Sequence, residues 1–327
     1  MNMYLEDKRV FIAGGTGLVG MGVIKYFIEN YPGIKITASY RKMAPMIADK
    51  RIRYIKADLR IQAQCRKAVK GCDCAVMAAA NSFGAGSSIS QPHMQVNDNL
   101  FINAQLLEAF HAENVKRAVY IGSATIYQEF NGSIKEDQLD LNDDPCPAYF
   151  GVAWVARYLE KLCRFWNEKY GLEILIARAS NIFGPYSKFD PQTANFVPAI
   201  IRKAVAKMDP FEVWGFPEVV RDVIYSEDFA GAIDAMLNNT NIKFDTFNIG
   251  SGQKTTVADV VRWALHSAGF VPSSIKYVSN MPTTVNYRAI DNSKASKILG
   301  WKPKYTVEEG IDKTTRWWKD NERTWIK

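Results

Sequence analysis

The segment Val10–Gly20 constrains this chain more than any other. Four apolar residues, Val10 to Ala13, run into Gly14-Gly-Thr-Gly17-Leu-Val-Gly20, and an amphipathic stretch follows. This order reads as a strand, a glycine turn and the start of a helix. Glycines there permit a tight turn and close backbone approach, and the helix N-terminus offers free N–H groups to a pyrophosphate. Gly14, Gly17 and Gly20, with Thr16, Leu18 and Val19 between them, are therefore candidate cofactor contacts.

Strand and helix patterns alternate through the first half. The expected strands are Arg9–Ala13, Ile34–Ser39, Ile52–Lys56, Cys74–Ala79, Arg117–Gly122 and Leu172–Arg178. The expected helices are Val19–Asn30, Ile61–Lys70, Met94–Glu113 and Val152–Tyr170. Such alternation implies an α/β fold with a doubly wound parallel sheet of Rossmann type. After Asn181 the texture changes: Pro185, Pro191, Pro198, Pro210, Pro217 and Trp214 thicken the sequence and the repetition is lost. A smaller C-terminal α/β substrate domain is expected there, with Asp228–Leu237 and Thr246–Ile249 returning to the first domain. The division is then residues 1–180 plus about 228–250 for the dinucleotide, and about 181–227 with 251–327 for the substrate.

With 327 residues, 47% of them hydrophobic and 23% charged, the chain can bury a full core. Its net charge of +7 suits anionic ligands but forms no basic run or arm, which argues against a nucleic-acid partner. The five cysteines are odd in number, and Cys72-Asp-Cys74 lacks a second ligand pair, so buried free thiols are expected rather than disulfides or a metal. No apolar run has membrane length, and the expected compartment is a reducing cytoplasm.

The end of the second strand normally declares the dinucleotide. An acid there would accept ribose hydroxyls; this chain has Ser39-Tyr40-Arg41-Lys42. Two cations and a hydroxyl suit a 2′-phosphate, which favours NADP with NAD as the alternative. The three histidines, His93, His111 and His266, form no constellation, and Trp317, Trp318 and Trp325 read as packing for a C-terminal helix.

Further pieces join into one pattern: Ala78-Ala-Ala80, Asn97, Gly122-Ser-Ala-Thr-Ile-Tyr127, Asn181-Ile-Phe-Gly-Pro185, Arg221-Asp-Val-Ile-Tyr-Ser-Glu-Asp-Phe-Ala230 and Leu299-Gly-Trp-Lys-Pro303. Together they resemble the extended short-chain dehydrogenases/reductases that modify nucleotide-linked sugars, over nearly the whole chain. Within that group Gly184–Pro191, Phe196–Lys203 and Val213–Gly215 are similar to the substrate region of the GDP-fucose synthases. The resemblance implies a GDP-linked sugar that is epimerised or reduced at a 4-keto group. It also implies a homodimer packed through helices 94–113 and 152–170. It assigns Asp58, Leu59, Ala78 and Ala80 to the cofactor, with Asp58 accepting from the adenine amino group. It assigns Asn181, Val197, Arg202, Trp214 and Arg221 to the substrate; Trp214 is equally readable as core.

The reaction centre departs from the pattern. Such enzymes use a Ser or Thr after the fifth strand, here Ser123, and a Tyr and Lys four residues apart on the next helix. The Lys lowers the Tyr pKa and the Tyr exchanges a proton with the sugar, one helical turn (about 6 Å) setting the spacing. Aligned back from Gly171 without a gap, those positions hold Val152 and Ala156; aligned from Tyr149, the lysine position holds Ala153. Either way the lysine is gone. The Cys and His that epimerise in GDP-fucose synthases are replaced by Thr125 and Tyr186. Tyr149, Tyr186 and Lys188 are candidate substitutes, while Arg157 and Lys161 lie elsewhere on the helix. Three readings stay open: an active enzyme with altered acid–base groups, a catalytically silent binding protein, and an inactivated variant of such an enzyme.

Overall fold

The computed structural model describes residues 4–82, 92–279 and 287–325. From the amino end the chain runs β1 (Arg9–Ala13), α1 (Leu18–Asn30), β2 (Lys35–Tyr40), β3 (Ile52–Lys56), α2 (Gln62–Val69) and β4 (Cys74–Met77). Then follow α3 (Pro92–Ala112), β5 (Arg117–Ser123), a short β6 (Ser133–Ile134), α4 (Phe150–Tyr170) and β7 (Glu173–Ala179). The later part contains β8 (Asn181–Phe183), α5 (Phe196–Val205), β9 (Phe211–Trp214), β10 (Val220–Arg221), β11 (Val223–Tyr225) and α6 (Ser226–Asn238). It closes with β12 (Phe244–Ile249), β13 (Thr255–Thr256), α7 (Val257–Ala268), β14 (Ile275–Val278), β15 (Tyr287–Ile290), α8 (Ser293–Leu299) and α9 (Val307–Asn321).

Seven strands form one sheet in the order β12-β7-β5-β4-β1-β2-β3, and every pairing in it is parallel. A parallel sheet needs both faces covered, and the period of two along each strand supplies both. In β1, Val10 and Ile12 join the core under α1 and α6, while Phe11 and Ala13 join the core under α2, α3 and α4. The doubly wound expectation thus holds. Element ends move by one or two residues: α4 starts at Phe150 because Pro147–Tyr149 make a 3₁₀ turn leading into it, and β4 stops at Met77. All five cysteines are buried free thiols.

Beyond β7 the chain builds smaller sheets, one of which takes in the earlier β6: β13-β10-β15-β6, β11-β8 and β14-β9. Helices α5, α7 and α9 pack together over a third core. The C-terminal tryptophans pack here as expected, Trp318 stacking on Phe189 with ring centroids 4.0 Å apart.

One buried cation joins the late helix α6 to the early strands. Arg117 of β5 is 1% exposed. Its guanidinium donates to the carbonyls of Met236, Leu237, Asn239 and Ile242 and pairs with Glu173 of β7 at 2.8 Å. Helix C-termini leave carbonyls without partners inside the helix, and here one side chain satisfies them. Arg117→Met should therefore lower the unfolding free energy by roughly 3–5 kcal/mol, because it strands several buried acceptors at once. A urea titration followed by circular dichroism checks this.

Candidate active site

The carboxyl ends of the parallel strands carry the site. At the glycine turn Gly14 has φ +73°, and a Cβ there would stand 2.9 Å from the Ala79 Cα. A Cβ on Gly20 would stand 2.2 Å from the Gly14 carbonyl oxygen. Gly17 precedes α1 and provides no side-chain cap, so the first N–H groups of α1 keep their capacity for an anion. This bare, close-packed cradle fits a dinucleotide pyrophosphate. Ala78 and Ala79 are half-buried and Ala80 is exposed. Thr16 and Leu59 are buried, whereas Leu18 and Val19 are half-buried.

At the end of β2 the expectation for the hydroxyl needs correction. Ser39 is buried, and its Oγ accepts from Gly14 N at 3.1 Å while its carbonyl accepts from Gly15 N at 2.7 Å. Ser39 holds the glycine turn and does not face solvent beside the two cations. Arg41 and Lys42 are exposed, with Arg41 Nη1 3.9 Å from Asp98. Asp58 is gripped by Arg60 through Nε at 2.9 Å and Nη2 at 2.6 Å, and Arg60 reaches Asp98 at 3.1 Å. These bonds from Arg60 draw the Asp58 carboxyl down to about 2, so it remains an acceptor. Sequence reading missed Arg60 and Asp98, because only folding brings α3 against the β3–α2 connection.

At the reaction centre Ser123 ends β5, and its Oγ accepts from Thr125 N at 3.2 Å and from Thr125 Oγ1 at 3.0 Å. Thr125 therefore orients the serine hydroxyl. Val152 is half-buried and Ala156 buried on α4, and neither can move a proton. One turn further, Glu160 receives Arg178 bidentately at 2.9 and 2.8 Å. Arg178 also donates to the Tyr127 hydroxyl at 2.8 Å, which donates to Asn248 at 2.7 Å. Burial pushes the Tyr127 phenol up to about 12, which leaves it a structural group. Arg157 is buried too, donating to the carbonyls of Ile126 and Asp143.

Tyr186 also needs correction as a candidate. It sits at φ +72°, and its ring packs on Trp317 at 5.3 Å and Trp325 at 5.8 Å, within the aromatic cluster of the C-terminal helix. Lys188, two residues on, is half-buried rather than a solvated loop charge.

The substrate side brings two guanidiniums together. Arg221 on β10 and Arg288 on β15 are in register on neighbouring parallel strands. Arg288 is 8% exposed and lies over the ring of Tyr149, 4.5 Å from its centroid. Burial, together with the charge of Arg288 and against the effect of Tyr149, pulls the Arg221 pKa down to about 10. Two half-desolvated cations beside a phenol make a receptor for a multiply charged anion. Arg288 gave no local signal in the sequence; its register with Arg221 is a product of the sheet. Asn181 is exposed and donates to the Asp222 carbonyl at 3.3 Å. Val197 is buried in the third core, and Arg202 is half-buried. Trp214 is not core: it is 46% exposed, beside the exposed Phe216, with Lys203 Nζ 5.8 Å from its ring centroid.

The sequence profile of the NAD dependent epimerase/dehydratase family matches residues 10–250. The chain belongs to that family. It is 27% identical over 323 residues to a GDP-L-fucose synthase of Sinorhizobium fredii, with 96% of each chain covered. It is also 27% identical to a GDP-mannose 3,5-epimerase of Arabidopsis thaliana, over 96% of this chain and 83% of that one. Among solved structures, a UDP-glucose 4-epimerase of Thermotoga maritima, crystallised with UDP-glucose, superimposes with a TM-score of 0.84 at 20% identity. That superposition covers 96% of this chain and 99% of the other. A GDP-6-OMe-4-keto-L-xylo-heptose reductase from C. jejuni gives 0.84 at 21% identity over 98% and 99% of the two chains. At these identities the structural likeness bears on the fold, which is that of the epimerase/dehydratase family. Within the family the sequence relatives are epimerases and reductases of nucleotide-linked sugars, which supports a nicotinamide-dinucleotide cofactor, and the glycine cradle suits its pyrophosphate.

Gly14→Ala would force a side chain into the left-handed region and against Ala79. The dinucleotide affinity of that variant should fall about tenfold or more, measured by calorimetric titration against the unaltered chain.

Proposed function

We propose that this chain uses NADPH to reduce, with or without epimerisation, a GDP-linked 4-keto sugar. The observation that carries the reading is the pair Arg221–Arg288, in register on neighbouring strands with Arg288 over the ring of Tyr149, which suits a multiply charged anion. When bound, the nicotinamide supplies the hydride; every other duty falls to the chain. Arg221 and Arg288 hold the sugar nucleotide's pyrophosphate, and Asn181 adds an amide beside them. Val197, Arg202 and Trp214 belong to the segments that enclose the base. Ser123, steadied by Thr125, donates to the sugar oxygen. Tyr149, lying under Arg288, belongs to the phosphate end of the cleft. In this reading residues 1–180 with about 228–250 hold the dinucleotide, and 181–227 with 251–327 enclose the sugar nucleotide.

NADP is preferred over NAD because Arg41 and Lys42 stand where an acid would otherwise meet the ribose. Side-by-side packing of α3 and α4, with Phe101, Phe150, Trp154, Tyr158 and Phe165 exposed, supports a homodimer through these helices. The apolar Val152 and Ala156 favour one competing reading, a silent binding protein for the same ligands.

The deciding experiment is NADPH oxidation with GDP-4-keto-6-deoxymannose, for the chain as it stands and for Val152→Tyr/Ala156→Lys side by side. Turnover by the unaltered chain is expected. Silence there with activity in the double variant would mean an inactivated synthase frame, and silence in both would sink that substrate and leave binding or another sugar. Arg288→Met should weaken GDP binding about 10- to 100-fold, the worth of one charge-assisted pair, as read by calorimetry. Arg41→Asp should raise the KM for NADPH by a similar factor and leave that for NADH little changed or lower.

A further inference from the structure

The loop after β8 is anchored on both sides of Lys188. Ser187 is 1% exposed; its Oγ accepts from Gly184 N at 3.2 Å, and its carbonyl accepts from Trp325 Nε1 at 2.8 Å. Phe189 is equally buried against Trp318, and the Tyr186 ring lies on Trp317 and Trp325. Between these anchors Lys188 crosses the cleft, and its Nζ donates to the carbonyl of Ser82. Ser82 closely follows Ala78–Ala80, the segment that Ala79 brings against the glycine cradle. The ammonium therefore joins the loop after β8 to the segment that leaves β4, the sheet neighbour of β5, which Ser123 ends. Burial draws its pKa below that of an ordinary lysine, which makes the proton easier to release.

We infer that Lys188 is the catalytic acid of this site, giving its proton to the carbonyl oxygen of the bound keto sugar. The assignment rests on the keto-sugar reduction proposed above. One N–H bond of the ammonium breaks and one O–H bond forms on the sugar, while the carbonyl carbon takes the hydride that the dinucleotide supplies. The ketone becomes an alcohol, the nicotinamide is oxidised, and the neutral amine regains its proton from water. The donor thus moves from the helix to the loop facing it.

The test compares the full chain with Lys188→Met and Lys188→Arg, using NADPH and GDP-4-keto-6-deoxymannose. Both variants should lose about 10²- to 10⁴-fold in kcat with KM within a few-fold, since a guanidinium keeps the charge but does not release a proton. On the unaltered chain, acetylation of Lys188 read by mass spectrometry should slow several-fold when NADPH and GDP are both present, a readout that needs neither turnover nor a variant. Full activity in Lys188→Arg would reduce the residue to a cationic strut and overturn the assignment, as would full activity in Lys188→Met or labelling indifferent to the ligands. An unaltered chain that binds both ligands and oxidises no NADPH would overturn the functional reading and this assignment together.

Discussion

The bidentate pair between Glu160 and Arg178 decides which face α4 turns to the sheet. Positions 152, 156 and 160 recur every four residues, so fixing Glu160 over β7 also presents Val152 and Ala156 to the end of β5. The pair is deeply buried, and Arg178 is tied further to Tyr127 and Glu136, so the charge is compensated from several sides. Helix α4 thereby keeps its seat with only apolar side chains at positions 152 and 156. A tyrosine and a lysine facing an interior must be given partners; a valine and an alanine need none.

What the frame retains is directional. The glycine cradle offers N–H groups at the start of α1, and Arg221 with Arg288 offers two guanidiniums on β10 and β15. Both are suited to phosphate oxygens, and neither bears on the proton. Holding two reactants in register accounts for a large part of what such a site contributes to rate, and this component is independent of Val152 and Ala156. Burial above all draws the Arg221 pKa down, and the charge of Arg288 acts in the same direction.

The sheet, its helices and the glycine turn were legible because each is written locally, in periods of two and 3.6 and in glycine spacing. Arg221 and Asn181 were singled out through the family resemblance, as parts of short motifs. Arg288, Arg60 and Asp98 were not. Each acquires its place through pairing between segments far apart in the chain, Arg288 through the register of β15 with β10. Ser39 was misjudged because an exposed-looking hydroxyl at a strand end turns inward to hold Gly14. Tyr186 was misjudged because its partners, Trp317 and Trp325, lie at the other end of the sequence.

A proton donor carried on a loop differs physically from one carried on a helix. On α4 the donor would be held by the same rigid element that packs on the sheet. On the loop after β8 its position depends on the stacking of Phe189 with Trp318 and on the bond from Trp325 to Ser187. Chemistry at this site then depends on the aromatic packing of α9 and on how closely the substrate side approaches the sheet. The bond from Lys188 to the Ser82 carbonyl spans that gap before any sugar enters. A sugar carbonyl must exchange with that acceptor, and a charge-assisted hydrogen bond to one oxygen is replaced by one to another at little net cost. Preorganisation is thereby kept: the ammonium waits already desolvated and already aimed across the cleft.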